Sequence, residues 1–253
     1  MCRHLGYLGP PRSPAGPVFD APHSLLRQTY APKDMRGGGV VNADGFGLGW
    51  YDDGPEPVRY RRPVPLWSDQ DLPRLARSVH SGAFVAAVRN GTTGMPSGEG
   101  ACAPFTGGRW LFSHNGMVPG WPDSLAALAG KLPVTDLMTL QAPTDSAVLW
   151  ALLRERLEAG EDPAGAVTDL ISQVERAAPG SRLNFLLTDG TVLVGTAWTH
   201  ALSVRVEGEA VLFASEPLDD APGWTEVPDR HLVLASYGAV EVIPLNADRS
   251  VLS

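Results

Sequence analysis

Hydrophobic positions recur at every second residue in many short runs, and a helical spacing of about 3.6 residues replaces this alternation in the middle of the chain. Phe46, Leu48 and Trp50 alternate with glycine, which predicts a strand with one bare face. A bare face usually allows another backbone segment or a ligand to approach closely. Further strands are predicted at residues 1–9, 58–62, 83–89, 109–114, 183–187, 191–196, 202–206, 210–214, 231–235 and 240–244.

The clearest helical pattern begins after Thr144 and Asp145, and a second long helix is predicted at residues 163–177. One face of the first of these helices carries Val148, Leu149, Leu152, Leu153 and Leu157. Shorter helices are predicted at residues 72–79 and from Pro122 onward.

Three segments are predicted to lack regular structure. Residues 10–22 contain five prolines, which remove hydrogen-bond donors and fix φ, and the glycines at 37–39 predict a turn. The long loop at residues 92–104 is a candidate lid. Strands, then helices, then strands, without βαβ alternation, predict one α+β domain over residues 1–253 with antiparallel sheets.

Composition and charge narrow the classes of partner. The chain has 20 Lys and Arg against 28 Asp and Glu, and its net charge of -8 with no basic stripe argues against nucleic acid and anionic membranes. No apolar run approaches the about 20 residues of a membrane span, and the N-terminus lacks the apolar core of a signal peptide. We therefore expect a cytoplasmic protein, whose oligomeric state does not follow from the sequence.

The two cysteines, Cys2 and Cys102, are too few for a disulfide framework and are expected to be free thiols. Cys102 lies in a loop where no role is expected. Removal of the initiator methionine, which a small second residue favours, would leave Cys2 with a thiol and a free α-amine. Reference pKa values of about 8.5 for a thiol and about 7.7–8.0 for an α-amine allow the amine to accept the thiol proton. A cysteine in an apolar strand is more often a small buried residue, so a catalytic interpretation needs further support.

Three further sites carry groups that an amide-cleaving thiol needs. Asn115 and Gly116 follow a predicted strand and offer a side-chain amide and a backbone N–H to an oxyanion. Arg89 can form two hydrogen bonds with a substrate carboxylate, and Asp145 can accept hydrogen bonds from a substrate ammonium. Each residue also has an ordinary structural interpretation, since Asn-Gly is a frequent turn, a strand-end Arg is usually solvated and Asp caps helices.

Metal binding is the alternative to a catalytic role for the residues of the first strand. Cys2 and His4 share one face of that strand, but the other histidines lack the spacing of metal ligands, so no metal site is predicted. His114 is expected to orient Asn115 or to pack beneath it.

Four motifs follow one another along the chain, namely Cys2, Arg-x-x-Thr-x-Gly at residues 89–94, His114-Asn115-Gly116 and Thr144-Asp145. With these motifs the chain resembles the glutaminase domains of class II glutamine amidotransferases, which are N-terminal nucleophile hydrolases. The resemblance implies a four-layer αββα sandwich of two antiparallel sheets, a small-molecule γ-glutamyl substrate and no cofactor.

The same resemblance implies a role for each matching residue. Cys2 would attack the γ-carbonyl of a glutamyl group and form a thioester that water then hydrolyses. Asn115 and Gly116 would stabilise the oxyanion. Arg89 and Asp145 would hold the α-carboxylate and the α-ammonium of the glutamyl group.

The motif at residues 89–94 also brings Thr92 into the implied substrate site, and Thr93 stands where many family members have histidine. The chain is further similar to a stand-alone actinobacterial branch of the family, which acts in ergothioneine synthesis, in residues 1–9, 22–28, 34–39 and 42–47. Classical members pass ammonia through a tunnel to an attached synthase domain. The sequence carries no such segment, which favours the stand-alone branch.

This branch implies hydrolysis of γ-glutamyl-hercynylcysteine sulfoxide with release of glutamate. The leaving part carries a trimethylammonium group, which favours aromatic faces, and Trp67, Trp121 and Trp224 are available. Two other functions remain open on the sequence. One is a stand-alone glutaminase that supplies ammonia to a separate partner, and the other is a non-catalytic γ-glutamyl-binding protein.

Overall fold

A computed structural model of the chain describes residues 2–36, 41–92 and 94–245. Met1, the predicted turn at residues 37–39 and Thr93 lie outside the described residues. Within the described part, thirteen strands form two antiparallel sheets. No helix in this part is long and apolar enough to cross a bilayer.

The first sheet contains β1 (Arg3–Arg12), β2 (Phe46–Trp50), β3 (Val58–Arg62), β4 (Ser81–Val88), β9 (Ser203–Glu207), β10 (Ala210–Ala214) and β11 (Thr225–Glu226). Its spatial order is β11-β9-β10-β1-β4-β2-β3. The second sheet contains β5 (Phe105–Gly107), β6 (Trp110–Met117), β7 (Arg182–Thr188), β8 (Leu193–Ala197), β12 (His231–Ser236) and β13 (Ala239–Pro244). Its spatial order is β13-β12-β8-β7-β6-β5.

The helices are α1 (Leu25–Gln28), α2 (Leu72–Ser78), α3 (Ala126–Ala129), α4 (Val134–Met138), α5 (Asp145–Glu158) and α6 (Pro163–Ala177). Buried residues of α1 and α2 pack on the outer face of the first sheet, and those of α5 and α6 on the outer face of the second. A third apolar cluster fills the space between the sheets. The predicted four-layer αββα sandwich with antiparallel sheets is confirmed.

The two long helices begin where the sequence supplies a cap. The hydroxyl of Thr144 accepts the Ala147 N–H at 3.1 Å, and the carboxylate of Asp162 accepts the Gly165 N–H at 2.9 Å. Helix α5 is buried on most of its surface, where Trp150 stacks on Phe112 of β6 with ring centroids 5.5 Å apart. The start of α5 is therefore held firmly against the second sheet.

Two expectations differ from the structure at the N-terminal prolines. Strand β1 continues through Pro10 and Pro11 to Arg12, and residues 16–20 form one helical turn, so the loop predicted at 10–22 is wrong at both places. The pairing of β1 with β4 shifts in register between Leu8 and Arg12. A proline lacks an N–H donor and is tolerated at such an irregularity, which explains the longer strand.

The bare face of β2 accommodates another backbone segment. A Cβ atom at Gly47 would overlap the carbonyl oxygen of Ala103 and lie 3.0 Å from Pro104 Cδ. Arg59 donates to the carbonyl of Pro104 at 3.2 Å, and Arg61 donates to that of Cys102 at 2.9 Å. The last part of the loop predicted as a lid is therefore fixed against the first sheet.

We expect Gly47→Ala to lower the free energy of unfolding by about 1–3 kcal/mol, because the new methyl group must displace the backbone at residue 103. Urea denaturation with both variants measures the change. The control is Gly98→Ala, since a Cβ there meets nothing within 4 Å. Equal stability of the two variants would contradict the close approach.

Candidate active site

Cys2, His4 and Asn115 lie at one end of the space between the two sheets. Even-numbered positions of β1 face the second sheet, because a Cβ at Gly6 would contact Leu193, and Leu8 belongs to the cluster between the sheets. Cys2 and His4 therefore face the same space. The apolar side chains between the sheets end there, and buried polar side chains take their place. We call this region the polar end; it includes His4, Ser113, Asn115, His200 and Ser215.

Asn115 and Gly116 lie near the end of β6, and Asn115 is on the inner face with Leu111. Asn115 is buried, and its Nδ2 donates to Ser215 Oγ at 3.4 Å. Its Oδ1 is buried without a hydrogen-bond partner among the described residues. A Cβ at Gly116 would overlap the carbonyl oxygen of Arg182, so this position requires glycine.

Cys2 and Arg89 are brought together by strand pairing. The antiparallel register of β1 and β4 places Cys2 opposite Arg89 in the first sheet. The Cys2 Sγ lies 3.7 Å from the carbonyl oxygen of Asn90, and Arg89 Nη2 donates to the carbonyl of Pro96 at 2.8 Å. Both residues line one small cavity. Its wall also includes Phe105, Ser113, His114 and Ser146.

Asp145 is buried as the first residue of α5. Its Oδ1 accepts the N–H of Ser146 at 2.7 Å, and its Oδ2 accepts the N–H of Val118 at 3.0 Å. Ser146 Oγ also lies 3.4 Å from Oδ1, and Oδ2 has a further lone pair for another donor. Asp145 is not in the wall of the cavity that Cys2 and Arg89 line, but its neighbour Ser146 is.

Thr92 and all three aromatic candidates lie outside this cavity wall, and Trp224 lines a different cavity. Thr92 is exposed, and its carbonyl accepts the N–H of Met95 at 2.9 Å. Trp121 packs against the helix-covered core of the second sheet, and Trp67 is 46% exposed. The structure thus groups Cys2 with Arg89 in one cavity wall, and Thr92, Asn115, Gly116 and Asp145 lie outside that wall.

His114 joins β6 to the start of α5. Its Nε2 lies 2.8 Å from the carbonyl oxygen of Arg182, and its Nδ1 lies 2.9 Å from Ser146 Oγ. Since a carbonyl only accepts, Nε2 carries the proton and Nδ1 accepts the Ser146 hydroxyl. Burial lowers the pKa of His114, opposed by the nearby Asp145 carboxylate. His114 thus lies on the opposite face of β6 from Asn115 and positions Ser146 instead.

Two more histidines at the polar end stay neutral. Burial, with smaller contributions from neighbouring positive groups, lowers the pKa of His4 to about 3 and that of His200 to about 3. His4 Nδ1 lies 3.1 Å from Ser113 Oγ, and the N–H of His200 donates to Asn184 Oδ1 at 3.2 Å. The hydrogen bond between the neutral His4 ring and Ser113 therefore connects the two sheets here, whereas His200 donates through its backbone N–H.

A buried ion pair holds the backbone of Cys2. Arg3 Nε lies 2.9 Å from Glu216, whose other oxygen lies 2.6 Å from His23 Nε2 and accepts the N–H of Lys33 at 2.8 Å. Arg3 also donates to the carbonyl of Cys2 at 3.1 Å. This pair was not predicted from the sequence. Its available signal was an arginine inside an otherwise apolar strand.

Two facing antiparallel sheets covered by helices, with a residue-two thiol directed between them, are the arrangement of the N-terminal nucleophile hydrolases. The model of the family described as "Glutamine amidotransferases class-II" matches residues 29–208, and the chain belongs to this family.

The similarity to individual relatives extends over nearly the whole chain. The gamma-glutamyl-hercynylcysteine sulfoxide hydrolase of Mycolicibacterium smegmatis is 42% identical over 245 residues, which is 97% of this chain and 100% of the relative. The protein of the same name from Mycobacterium tuberculosis is 40% identical over 246 residues, covering 97% of each chain. Among solved structures, a glutamine aminotransferase class-II domain protein from Silicibacter pomeroyi matches with a TM-score of 0.69 and 27% identity, over 96% of this chain and 99% of that one.

We expect acid to destabilise the protein through the buried histidines. The pKa of His4 lies below its unfolded value of about 6.5, so the unfolded chain binds the proton first and stability falls as the pH drops from about 6.5 toward about 3. At about pH 5 one such group costs about 2 kcal/mol.

His4→Asn should therefore lose less of its free energy of unfolding between about pH 7 and about pH 5 than the native protein does. Denaturant titrations at both pH values measure this difference. His80→Asn is the control, because His80 is exposed. A His4→Asn variant with the same pH dependence as the native protein would refute the assignment of a buried neutral ring.

Proposed function

We propose that the protein is an amidohydrolase that cleaves the γ-glutamyl amide of γ-glutamyl-hercynylcysteine sulfoxide and releases glutamate. The observation that carries this proposal is the shared cavity of Cys2 and Arg89, a thiol next to a cation suited to a carboxylate. The near full-length similarity to hydrolases of that name supports the choice of substrate. One domain over residues 1–253 is part of the proposal.

The proposed reaction begins once removal of Met1 has freed the α-amine of Cys2. The amine accepts the thiol proton, and the thiolate attacks the γ-carbonyl carbon. The resulting oxyanion accepts hydrogen bonds from Asn115 Nδ2 and the Gly116 N–H, donors that are each worth about 3–4 kcal/mol in such sites. Collapse breaks the C–N bond, and the ammonium returns its proton to the leaving amine. Water then attacks the thioester with the amine as base, and glutamate leaves.

The glutamyl head group is proposed to bind between opposite charges. Arg89 uses one N–H on the carbonyl of Pro96, which leaves other guanidinium donors for the α-carboxylate. Asp145 would accept from the α-ammonium, with Ser146 in the cavity wall next to it. Thr92 would approach the substrate from the adjoining loop.

The leaving group is proposed to occupy a second cavity of about 530 Å³, whose wall includes Ser215, Trp224 and Glu226. A cavity of this volume lies within the range of small-ligand sites, about 300–1,000 Å³. The indole ring of Trp224 suits a trimethylammonium group, whereas the Glu226 carboxylate is already paired with Arg36 of the same wall at 2.9 Å. This cavity adjoins the site because Ser215 contacts Asn115.

Membership of the class II glutamine amidotransferases also supports a second candidate, a glutaminase that supplies ammonia to a partner protein. That enzyme would release ammonia from glutamine and respond to the partner. Faster turnover of glutamine than of the sulfoxide substrate would favour it. A third candidate, a γ-glutamyl-binding protein, would bind the substrate without turnover.

Intact-protein mass spectrometry tests the proposed nucleophile. We expect a protein without Met1 that gains a transient glutamyl adduct on brief mixing with the substrate. Cys2→Ala should bind substrate but show neither adduct nor turnover. Cys102→Ala is the control, since it removes the other, buried thiol and should still form the adduct. Substantial hydrolysis by Cys2→Ala, or a native protein that keeps Met1, would disprove the mechanism.

Arg89→Ala should raise KM by about 30-fold or more with a smaller change in kcat, because loss of a charge-paired carboxylate contact costs about 2–5 kcal/mol. Steady-state kinetics with the γ-glutamyl substrate measure both constants. Arg77→Ala is the control, since Arg77 lies on the surface in an ion pair with Asp20. An unchanged KM in Arg89→Ala would remove Arg89 from the proposed head-group site.

A further inference from the structure

Ser215 connects the two sheets at the proposed oxyanion site. It directly follows β10 and is buried with 3% of its surface exposed. Its Oγ lies 3.0 Å from the backbone nitrogen of His4, 3.2 Å from the His4 carbonyl oxygen and 3.4 Å from Asn115 Nδ2. Its own N–H donates to the His4 carbonyl at 2.9 Å. One hydroxyl thus joins the strand of Cys2 to the side chain of Asn115.

The directions of these hydrogen bonds are fixed by what each group can do. A hydroxyl has one hydrogen and two lone pairs. The His4 N–H and the Asn115 amide nitrogen only donate, so they occupy the lone pairs of Ser215 Oγ. The hydroxyl hydrogen is left for the His4 carbonyl. All three hydrogen-bonding positions of Ser215 Oγ are therefore in use.

An Asn side-chain amide is planar, so fixing one of its N–H groups also fixes the direction of the other. The contact with Ser215 uses one N–H of Asn115 Nδ2. Because Oδ1 of Asn115 has no hydrogen-bond partner among the described residues, no hydrogen bond on that side fixes the direction of the amide. The Ser215 contact thus determines where the second N–H points.

We propose that Ser215 is a positioning residue for the oxyanion site. Its Oγ holds the Asn115 amide so that the second N–H faces the oxyanion of the tetrahedral intermediate. The same Oγ links that amide to the strand that carries Cys2. Ser215 acts through Asn115 and leaves the bonds that form and break unchanged. The inference rests on the proposed function, in which Asn115 donates to the oxyanion.

Kinetics of single and double variants test this assignment. Asn115→Ala should lower kcat by about 10²–10³-fold as the loss of an oxyanion donor. Ser215→Ala should lower kcat by about 10-fold with little change in KM, because the donor remains but its direction is lost. The Ser215→Ala substitution should have no further effect in the Asn115→Ala background, since residues acting through one group are not additive.

The matched control is Ser181→Ala, which removes a buried hydroxyl that donates to the carbonyl of Ala178 at 2.6 Å, outside the site. It should keep the native kcat. Ser215→Cys, which retains a side chain of similar size with one hydrogen, should recover part of the loss and provides a second variant if Ser215→Ala does not fold. Thermal unfolding of every variant identifies those that fold.

Two results would overturn the inference: a native kcat in Ser215→Ala, or an equal loss from this substitution with Asn115 present and absent. A native kcat in Asn115→Ala would instead refute the proposed oxyanion donor itself. The failure of the inference and that of the proposed function are therefore distinguishable.

Discussion

The buried ion pair between Arg3 and Glu216 fixes the register of β1, and the site depends on that register. Arg3 alternates with Cys2 and His4, so it faces the outer side of the sheet while they face the inner side. A shift by one residue would move the guanidinium between the sheets and the thiol out of them. A buried charge left without its partner costs about 3–5 kcal/mol, so the pair selects the register that places Cys2 opposite Arg89.

The polar end of the sandwich contains many polar groups and little net charge. Burial lowers the pKa values of His4, His114 and His200, so these rings are neutral. Arg89 and Asp145 carry charge here, as do Arg3 and Arg182, which lower the pKa of His200. In the proposed site, the cation of Arg89 and the carboxylate of Asp145 would complement a zwitterionic α-amino acid head group.

The long strands and helices were predicted from the sequence because each buries one face, and the spacing of apolar residues on that face is visible in the chain. The short elements β5, β11 and α4 were missed, because their formation depends on contacts with neighbouring elements. The extension of β1 to Arg12 was missed because a register shift accommodates its prolines. The order of the motifs placed Cys2 and Arg89 in one predicted site, and both line one cavity, while their roles stay predictions. No local sequence pattern marks Ser215, because its hydrogen bond with Asn115 joins residues that are 100 positions apart in the chain.

Three buried side-chain atoms at the polar end, Asn115 Oδ1, His4 Nε2 and His200 Nδ1, have no hydrogen-bond partner among the described residues. A buried polar atom that neither water nor a substrate satisfies costs about 1–3 kcal/mol. The same strands pack apolar residues around Leu8 in the adjoining space. Apolar residues could therefore have filled this end of the sandwich as well. Departures from good packing are expected at functional sites. The groups that reduce stability here include the amide that the proposed oxyanion requires, so the lost stability and the proposed catalysis share one origin.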